Sequence, residues 1–382
     1  MMWIKKIPYL KKCILYLLDK WRLVKLYPLY FTDKNRFGYL INERRYFKAC
    51  GKKAVIDYYP SSITVYITFK CNFRCDGCTY LLKDEDVFDD GGFMEYADFE
   101  NIANKYAGKI KYLMFSGGEA TLHPRFTDMA RLAHELGYTL NIATNGSNLM
   151  NVKDVLKHFN KINISMDSHD YPTFNKNRGA TEKVYKKILE GLEWMGKNSV
   201  PFRFSYVLSK SRLPEADKFI EFSKMYKPNQ LLFHSLIPHK SSSDEVLKIG
   251  DAEVREFYKK MLEQKDLPFN ISMPFPVPDN ENTFKNAICP KMWGTVYIHE
   301  KGDIAYCCQL KPEPSIGNVF NGYDLNSPKM VEFRQKMIDG VYPEEDCLLC
   351  QQRFELVEQN AKYEASLNRW SYIPSYLSDQ IN

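Results

Sequence analysis

Cys71, Cys75 and Cys78 stand in the string CNFRCDGC as a C-x3-C-x2-C cluster. Three thiolates on one short loop can hold three corners of a [4Fe–4S] cube, because soft thiolates suit iron and this spacing lets one loop wrap one face. The fourth iron then lacks a protein ligand, and an open iron can bind a small molecule. Two other readings stand beside this one, a zinc loop and unrelated cysteines. Zinc would want a fourth nearby Cys or His to close a tetrahedron, and the next histidine, His123, lies 45 positions after Cys78.

A second set comprises Cys289, Cys307, Cys308, Cys347 and Cys350. Gly302-x4-Cys307 puts a thiolate at the end of a predicted hairpin strand, and Cys347-x2-Cys350 closes the set from a later loop. Four cysteines suit a structural zinc. Cys308 is left over beside a ligand position, as a buried small hydrophobe or as a thiol able to donate a hydrogen atom. Cys13 and Cys50 carry no assigned role.

The elements that must position these groups follow from periodicity. From about residue 62, apolar β-branched runs alternate with helical stretches, which predicts βαβ units and a parallel sheet. Strands are expected at 63–69, 110–115, 138–143, 161–166, 202–208 and 231–236. Helices are expected near 96–107, 125–136, 151–158, 181–196 and 214–226. Six strands are too few for a closed eight-stranded barrel, so the expectation is an open, partial (β/α)6 barrel over 61–240, with its chemistry at the carboxyl ends of the strands. Residues 241–288, with a serine run and a proline-rich stretch, read as a linker or lid holding a short helix near 251–264. A small α+β unit over 289–360 follows, with a strand pair at 295–299 and 303–307 and a helix near 328–338. Residues 361–382 form a C-terminal tail.

Composition bounds the rest. The 382 residues are 45% hydrophobic and 26% charged, which excludes a disordered or fibrous chain, and ten cysteines are too sparse for a disulfide scaffold. Residues 1–53 carry 14 Lys/Arg against three acids, so the remainder of this +6 chain sums to −5. A mildly acidic body argues against a basic cleft for nucleic acid. Within the basic N-terminal segment, 1–60, residues 8–27 have helical apolar spacing ringed by lysines. That helix either packs on the main body or meets an anionic membrane surface or acidic partner. No stretch is apolar enough to span a membrane, and no signal peptide is evident, so a reducing cytoplasm is expected.

The cysteine triplet after a first strand resembles the motif of the radical S-adenosylmethionine superfamily, a likeness covering about residues 60–240. The resemblance implies that the open iron is chelated by the amino and carboxylate groups of the methionine moiety. One electron then cleaves the sulfonium to a 5′-deoxyadenosyl radical, which abstracts a substrate hydrogen. Ser116-Gly117-Gly118-Glu119 is similar to the family's GGE, in which glycine permits close backbone approach and the carboxylate accepts hydrogen bonds from the methionine amino group. Thr144-Asn145-Gly146 resembles the TNG element, Ser165-Met166-Asp167 the S-x-D contact to the cofactor, and Arg178 the arginine that pairs with the methionine carboxylate. Position 77 is Gly where an aromatic residue is frequent, so adenine packing is expected from Phe73, Tyr80 or Val207.

The second cysteine set resembles the SPASM and twitch extensions, which bind auxiliary [4Fe–4S] clusters. The shorter twitch form, with one cluster on Cys289, Cys307, Cys347 and Cys350, is the better fit. The implied cofactors are two [4Fe–4S] clusters and S-adenosylmethionine, with an external one-electron donor such as flavodoxin or ferredoxin. The expected reaction is oxidation of a small molecule or sugar, with the auxiliary cluster accepting the electron. Peptide modification or epimerisation, with Cys308 as hydrogen donor, is the alternative. A non-catalytic redox-sensing module would leave the GGE, Ser165 and Arg178 set without purpose.

Overall fold

The computed structural model describes residues 36–78, 92–236, 244–248, 250–264, 267–274, 276–277, 288–308, 316–342, 347 and 350. Each β-branched run extends as a strand, and each amphipathic stretch after it winds into a helix laid back over the sheet. The first half contains α1 (Arg36–Ala49), β1 (Ser62–Thr68), α2 (Tyr96–Tyr106), β2 (Tyr112–Gly117), α3 (Phe126–Glu135), β3 (Thr139–Thr144), α4 (Lys153–Leu156) and β4 (Phe159–Ser165). There follow α5 (Tyr171–Arg178), α6 (Glu182–Lys197), β5 (Arg203–Leu208), α7 (Ala216–Tyr226), β6 (Gln230–Ser235), α8 (Ala252–Glu263) and β7 (Asn270–Ser272). The last elements are α9 (Lys291–Gly294), β8 (Thr295–Ile298), β9 (Ile304–Ala305) and α10 (Pro328–Ile338).

These strands form one sheet in the order β7-β6-β5-β4-β3-β2-β1-β8-β9, with β7 and β9 at separate edges. Neighbours pair in parallel except β8 with β9. The sheet is therefore open, as the strand count implied. Its outer face is apolar and packs on the helices. Phe115 of β2 stacks on Phe99 of α2 and meets Phe126 of α3 edge-on, and Phe204 of β5 lies against Phe219 and Phe222 of α7. Each of these rings is 5% exposed or less and contributes about 1.5–3 kcal/mol by leaving water. Alternate residues, among them Ser116, Ala143, Ser165 and Val207, face the lumen.

Two differences from the sequence reading concern long-range pairing. First, β7 forms inside the segment expected as a linker and pairs with β6. Second, the hairpin of the C-terminal unit joins the barrel: β8 lies beside β1 in the register Thr64 with Tyr297 and Val65 with Ile298. Ser62 and Thr295 hydroxyls meet at 2.8 Å across that seam. Arg334 of α10, 1% exposed, fastens the unit further by donating to the carbonyls of Met292, Ala54 and Leu325 at 2.9–3.1 Å. The hairpin is also shorter than expected, since β9 ends at Ala305 and Cys307 and Cys308 lie in the turn beyond it. No described helix is long and apolar enough to cross a membrane. The basic helix of 8–27, Cys13, Tyr80, the serine run 241–243 and the tail 361–382 lie outside the described residues.

Candidate functional site

The cysteine loop leaves β1 at the carboxyl end of the sheet and is held there mostly by backbone. Gly118 N donates to Thr68 O at 3.0 Å and Glu119 N to Lys70 O at 2.9 Å, carrying the β1–β2 pairing on into the loop. The approach is so close that a Cβ on Gly117 would sit 2.0 Å from Thr68 O, and one on Gly118 would sit 2.3 Å from Phe69 O. Gly117 also has φ +126°, a conformation that glycine alone adopts cheaply. On its other side the loop is stitched to the end of α5. Arg74 N donates to Arg178 O at 3.2 Å and Asp76 N to Asn177 O at 3.3 Å.

Cys71, Cys75 and Cys78 line one cavity of about 200 Å³ together with Gly117, Gly118, Asn145, Ser165, Arg178 and Val207. The structure thus gathers the whole triplet and six of the seven expected cofactor-facing positions, the exception being Glu119. That side chain is fully buried and turned behind the glycine turn. Its Oε1 accepts from Thr121 N at 3.1 Å and Thr144 Oγ1 at 2.7 Å, and its Oε2 from Asn145 N at 2.6 Å. The carboxylate expected to face a ligand amine instead ties the ends of β2 and β3 together. Burial pushes its pKa up, against the pull of those donors.

Arg178 reaches the cavity with two of its nitrogens already engaged. Its Nη2 lies 2.7 Å from Asp167 Oδ2, and its Nη1 donates to Cys75 Sγ at 3.7 Å. Burial works against its charge, but Asp167 and Cys75 outweigh that and push the guanidinium above its ordinary value. Asp167, which lines the same cavity, is a hub: it also accepts from Val207 N at 2.9 Å and faces Arg212, whose Nη2 in turn reaches Asp76 Oδ1 at 2.6 Å. The triplet S-x-D drew notice only as a cofactor contact, and nothing in it signals two arginine partners. Of the residues expected against adenine, Phe73 and Val207 line the cavity. His123 is fully used by the fold, with Nε2 on Met94 O at 2.8 Å and Nδ1 accepting from Arg125 N at 3.0 Å.

The thiols of Cys71, Cys75 and Cys78 are unbridged. Burial pushes Cys71 up to about 12 and raises Cys75, with Arg178 pulling Cys75 back. Among the described residues no three ligand side chains converge tightly enough for a single metal ion. A cubane spreads its irons, so each thiolate takes a different corner. Arg178 Nε is buried without a hydrogen-bond partner, leaving a donor beside the triplet for a bound acceptor. Of the second set, burial raises Cys289 well above its ordinary value, and Cys350 and Cys308 add to the effect. Cys350 N meets Cys347 O at 3.4 Å. Cys307 packs on the main core, whereas Cys308 packs on Tyr66, Phe69 and Tyr297.

An open parallel barrel with three thiols on the loop after its first strand is the arrangement expected of the radical S-adenosylmethionine class. Residues 65–222 match the family model of the Radical SAM superfamily, a match that points to a [4Fe–4S] cluster and S-adenosylmethionine at this site. The chain is 28% identical over 188 residues to a probable GTP 3′,8-cyclase of Saccharolobus solfataricus, covering 46% of this chain and 57% of that one. It is 27% identical to the tungsten-containing aldehyde ferredoxin oxidoreductase cofactor-modifying protein of Pyrococcus furiosus, over 45% and 50%. The chain thus spans about half the length of the curated relatives it matches. In fold it is similar to Streptococcus suis SuiB bound to the precursor peptide SuiA, at TM-score 0.58 and 14% identity over 90% of this chain and 84% of that one. It is also similar to anSMEcpe with bound AdoMet, at TM-score 0.53 and 16% identity over 84% and 95%.

Proposed function

We propose that the chain is a radical S-adenosylmethionine oxidoreductase that oxidises a small molecule or sugar at an unreactive C–H, with a second cluster on Cys289, Cys307, Cys347 and Cys350 as electron acceptor. The observation that carries the reading is the shared cavity of Cys71, Cys75 and Cys78 with Asn145, Ser165, Arg178 and Val207. A cluster on the triplet supplies one electron that splits the sulfonium and frees a 5′-deoxyadenosyl radical for hydrogen abstraction. The chain's own residues do the holding. Gly117 and Gly118 let the backbone close on the ligand without a side chain between. Arg178, kept charged by Asp167, presents an unused Nε to an acceptor, and Phe73 and Val207 offer apolar wall to a base. The open lumen below leaves room for substrate. Unbridged thiols suit a reducing cytoplasm, with flavodoxin or ferredoxin as the class of electron donor.

A second reading is modification of a ribosomally made peptide. Its support is the likeness to SuiB bound to SuiA and to anSMEcpe with bound AdoMet and Cp18Cys peptide. Anaerobically reconstituted, reduced protein given S-adenosylmethionine is expected to release 5′-deoxyadenosine. No product under strong reduction overturns both readings. A substrate product two mass units lighter supports oxidation or cross-linking, and solvent deuterium incorporated without other mass change supports epimerisation.

A further inference from the structure

The sheet face that carries Ser205 and Val207 also carries two cations toward the amino ends of its strands, Arg203 on β5 and Lys161 on β4. Arg203 opens β5 on the same face as Ser205 and Val207, while Phe204 and Tyr206 turn outward to the helices. Its register partners are Asn163 on β4 and Gln230 on β6, and partners in a parallel sheet share a face. One step along β4, Lys161 stands beside Asn141 of β3. The Arg203 guanidinium donates Nη1 to Gln230 Oε1 at 3.0 Å, and its Nε is buried without a hydrogen-bond partner. Burial alone pushes Arg203 below its ordinary value. Burial and the charge of Arg203 together push Lys161 down.

Nearby groups do not cancel this charge. His234, beside Val207 in the register, is held neutral: burial pushes it to about 4, and Arg203 and Lys291 add to that against Asp167. Asp167 is engaged by Arg178 and Arg212. Among the described residues, no acid counts among the causes that shift Arg203 or Lys161. Two acceptors are also left over, since Asn141 Oδ1 and Asn163 Oδ1 are buried without partners. A partly buried cation such as Arg203, with the exposed Lys161 on the neighbouring strand, focuses its field on whatever enters, and orphaned buried polar groups cost about 1–3 kcal/mol each until something meets them.

We propose that the substrate carries an anionic group, carboxylate or phosphate, seated on Arg203 and Lys161, with hydroxyl or amine donors of the same molecule completing Asn141 and Asn163. This rests on reading the lumen as the substrate chamber. It narrows the substrate to an anion bearing hydrogen-bond donors, and neutral sugars fit poorly.

The test uses the full chain, purified anaerobically, and reads its thermal midpoint against added sodium phosphate or sodium acetate at constant ionic strength, with chloride as reference. Wild type is expected to show saturable stabilisation by one of the two, phosphate assigning a phosphoryl group and acetate a carboxylate. Arg203→Gln is expected to weaken the apparent affinity tenfold or more, the loss of a charged hydrogen bond, and Arg203→Lys to retain part of it. Lys161→Gln changes an exposed side chain and is expected to weaken it severalfold without a folding defect. No anion-specific response in wild type, or the same response in wild type and both Gln variants, overturns the proposal, since general exclusion of phosphate from protein surfaces acts on all equally. Release of 5′-deoxyadenosine by wild type is scored separately, so the chemistry and the anion seat can fail independently.

Discussion

Arg178 Nη2 lies 2.7 Å from Asp167 Oδ2, with the two side chains 12% and 4% exposed. The opposite oxygen of that carboxylate accepts from the backbone of Val207, and the opposite nitrogen of that guanidinium reaches Cys75 Sγ. One buried ion pair thereby links the end of β4, the end of α5, β5 and the cysteine loop.

Removing Asp167 strands Arg178 as a buried charge, whereas removing Arg178 leaves Asp167 with Arg212 at 3.5 Å. Asp167→Asn is expected to cost about 3 kcal/mol or more, and Arg178→Gln less. The double variant is expected to cost clearly less than the sum, because both singles lose the same contact. Urea unfolding of the four proteins measures this, and additive losses would show that the two groups act apart.

Gly118→Ala tests the close approach of β2 to the cysteine loop. Its Cβ would sit 2.3–2.4 Å from Phe69 O and Lys70 O, and neither backbone oxygen can move without shifting Cys71. The expected cost is about 1–3 kcal/mol. The expected companion is reduced iron uptake on reconstitution, although all three cysteines remain. Unchanged uptake would mean the loop tolerates displacement.

His299 is 2% exposed, lies with ring centroids 4.7 Å from Tyr66 and 5.0 Å from Phe69, and has neither ring nitrogen hydrogen-bonded. Burial pushes it down to about 3. Between that value and the ordinary imidazole value of about 6.5, the unfolded chain binds the extra proton, so stability falls as pH drops through the window. His299→Phe is expected to remove up to about 1.4 kcal/mol per pH unit of that slope. His234, pushed to about 4, preserves part of the acid sensitivity in the variant. Urea midpoints from pH 7 to 4.5 give the comparison, and identical slopes would contradict it.

Much of the fold was legible because it depends on local pattern. The β-branched runs and amphipathic stretches from Ile63 to Ser235 mark six strands and their helices to within two residues or so, since one face of every strand is apolar. The cysteine loop was legible from spacing, and the glycines after β2 from the need for close approach. What escaped was non-local. No local pattern tells that β8 will pair with β1, or that Asn270–Ser272 will add to β6. Nor does the GGE string disclose that Glu119 turns inward to Thr121, Thr144 and Asn145. Arg212 reads as an ordinary polar residue, and Asp167 as part of a cofactor contact only, until the fold brings Asp76 and Arg178 to them.

Cys307 and Cys308 can be told apart by iron. With Cys307 as the auxiliary ligand, Cys307→Ser is expected to lose about four irons per chain and Cys308→Ser none. The reverse result would exchange their roles.

The measurement that bears most directly on the account is the iron and acid-labile sulfide content of anaerobically reconstituted protein, with and without Cys71, Cys75 and Cys78 changed together to Ala. About eight irons per chain falling to about four is the expected result, one [4Fe–4S] cluster on the triplet and one on the later cysteines. Iron that stays the same in the triple variant, or zinc without sulfide in the wild type, would contradict it.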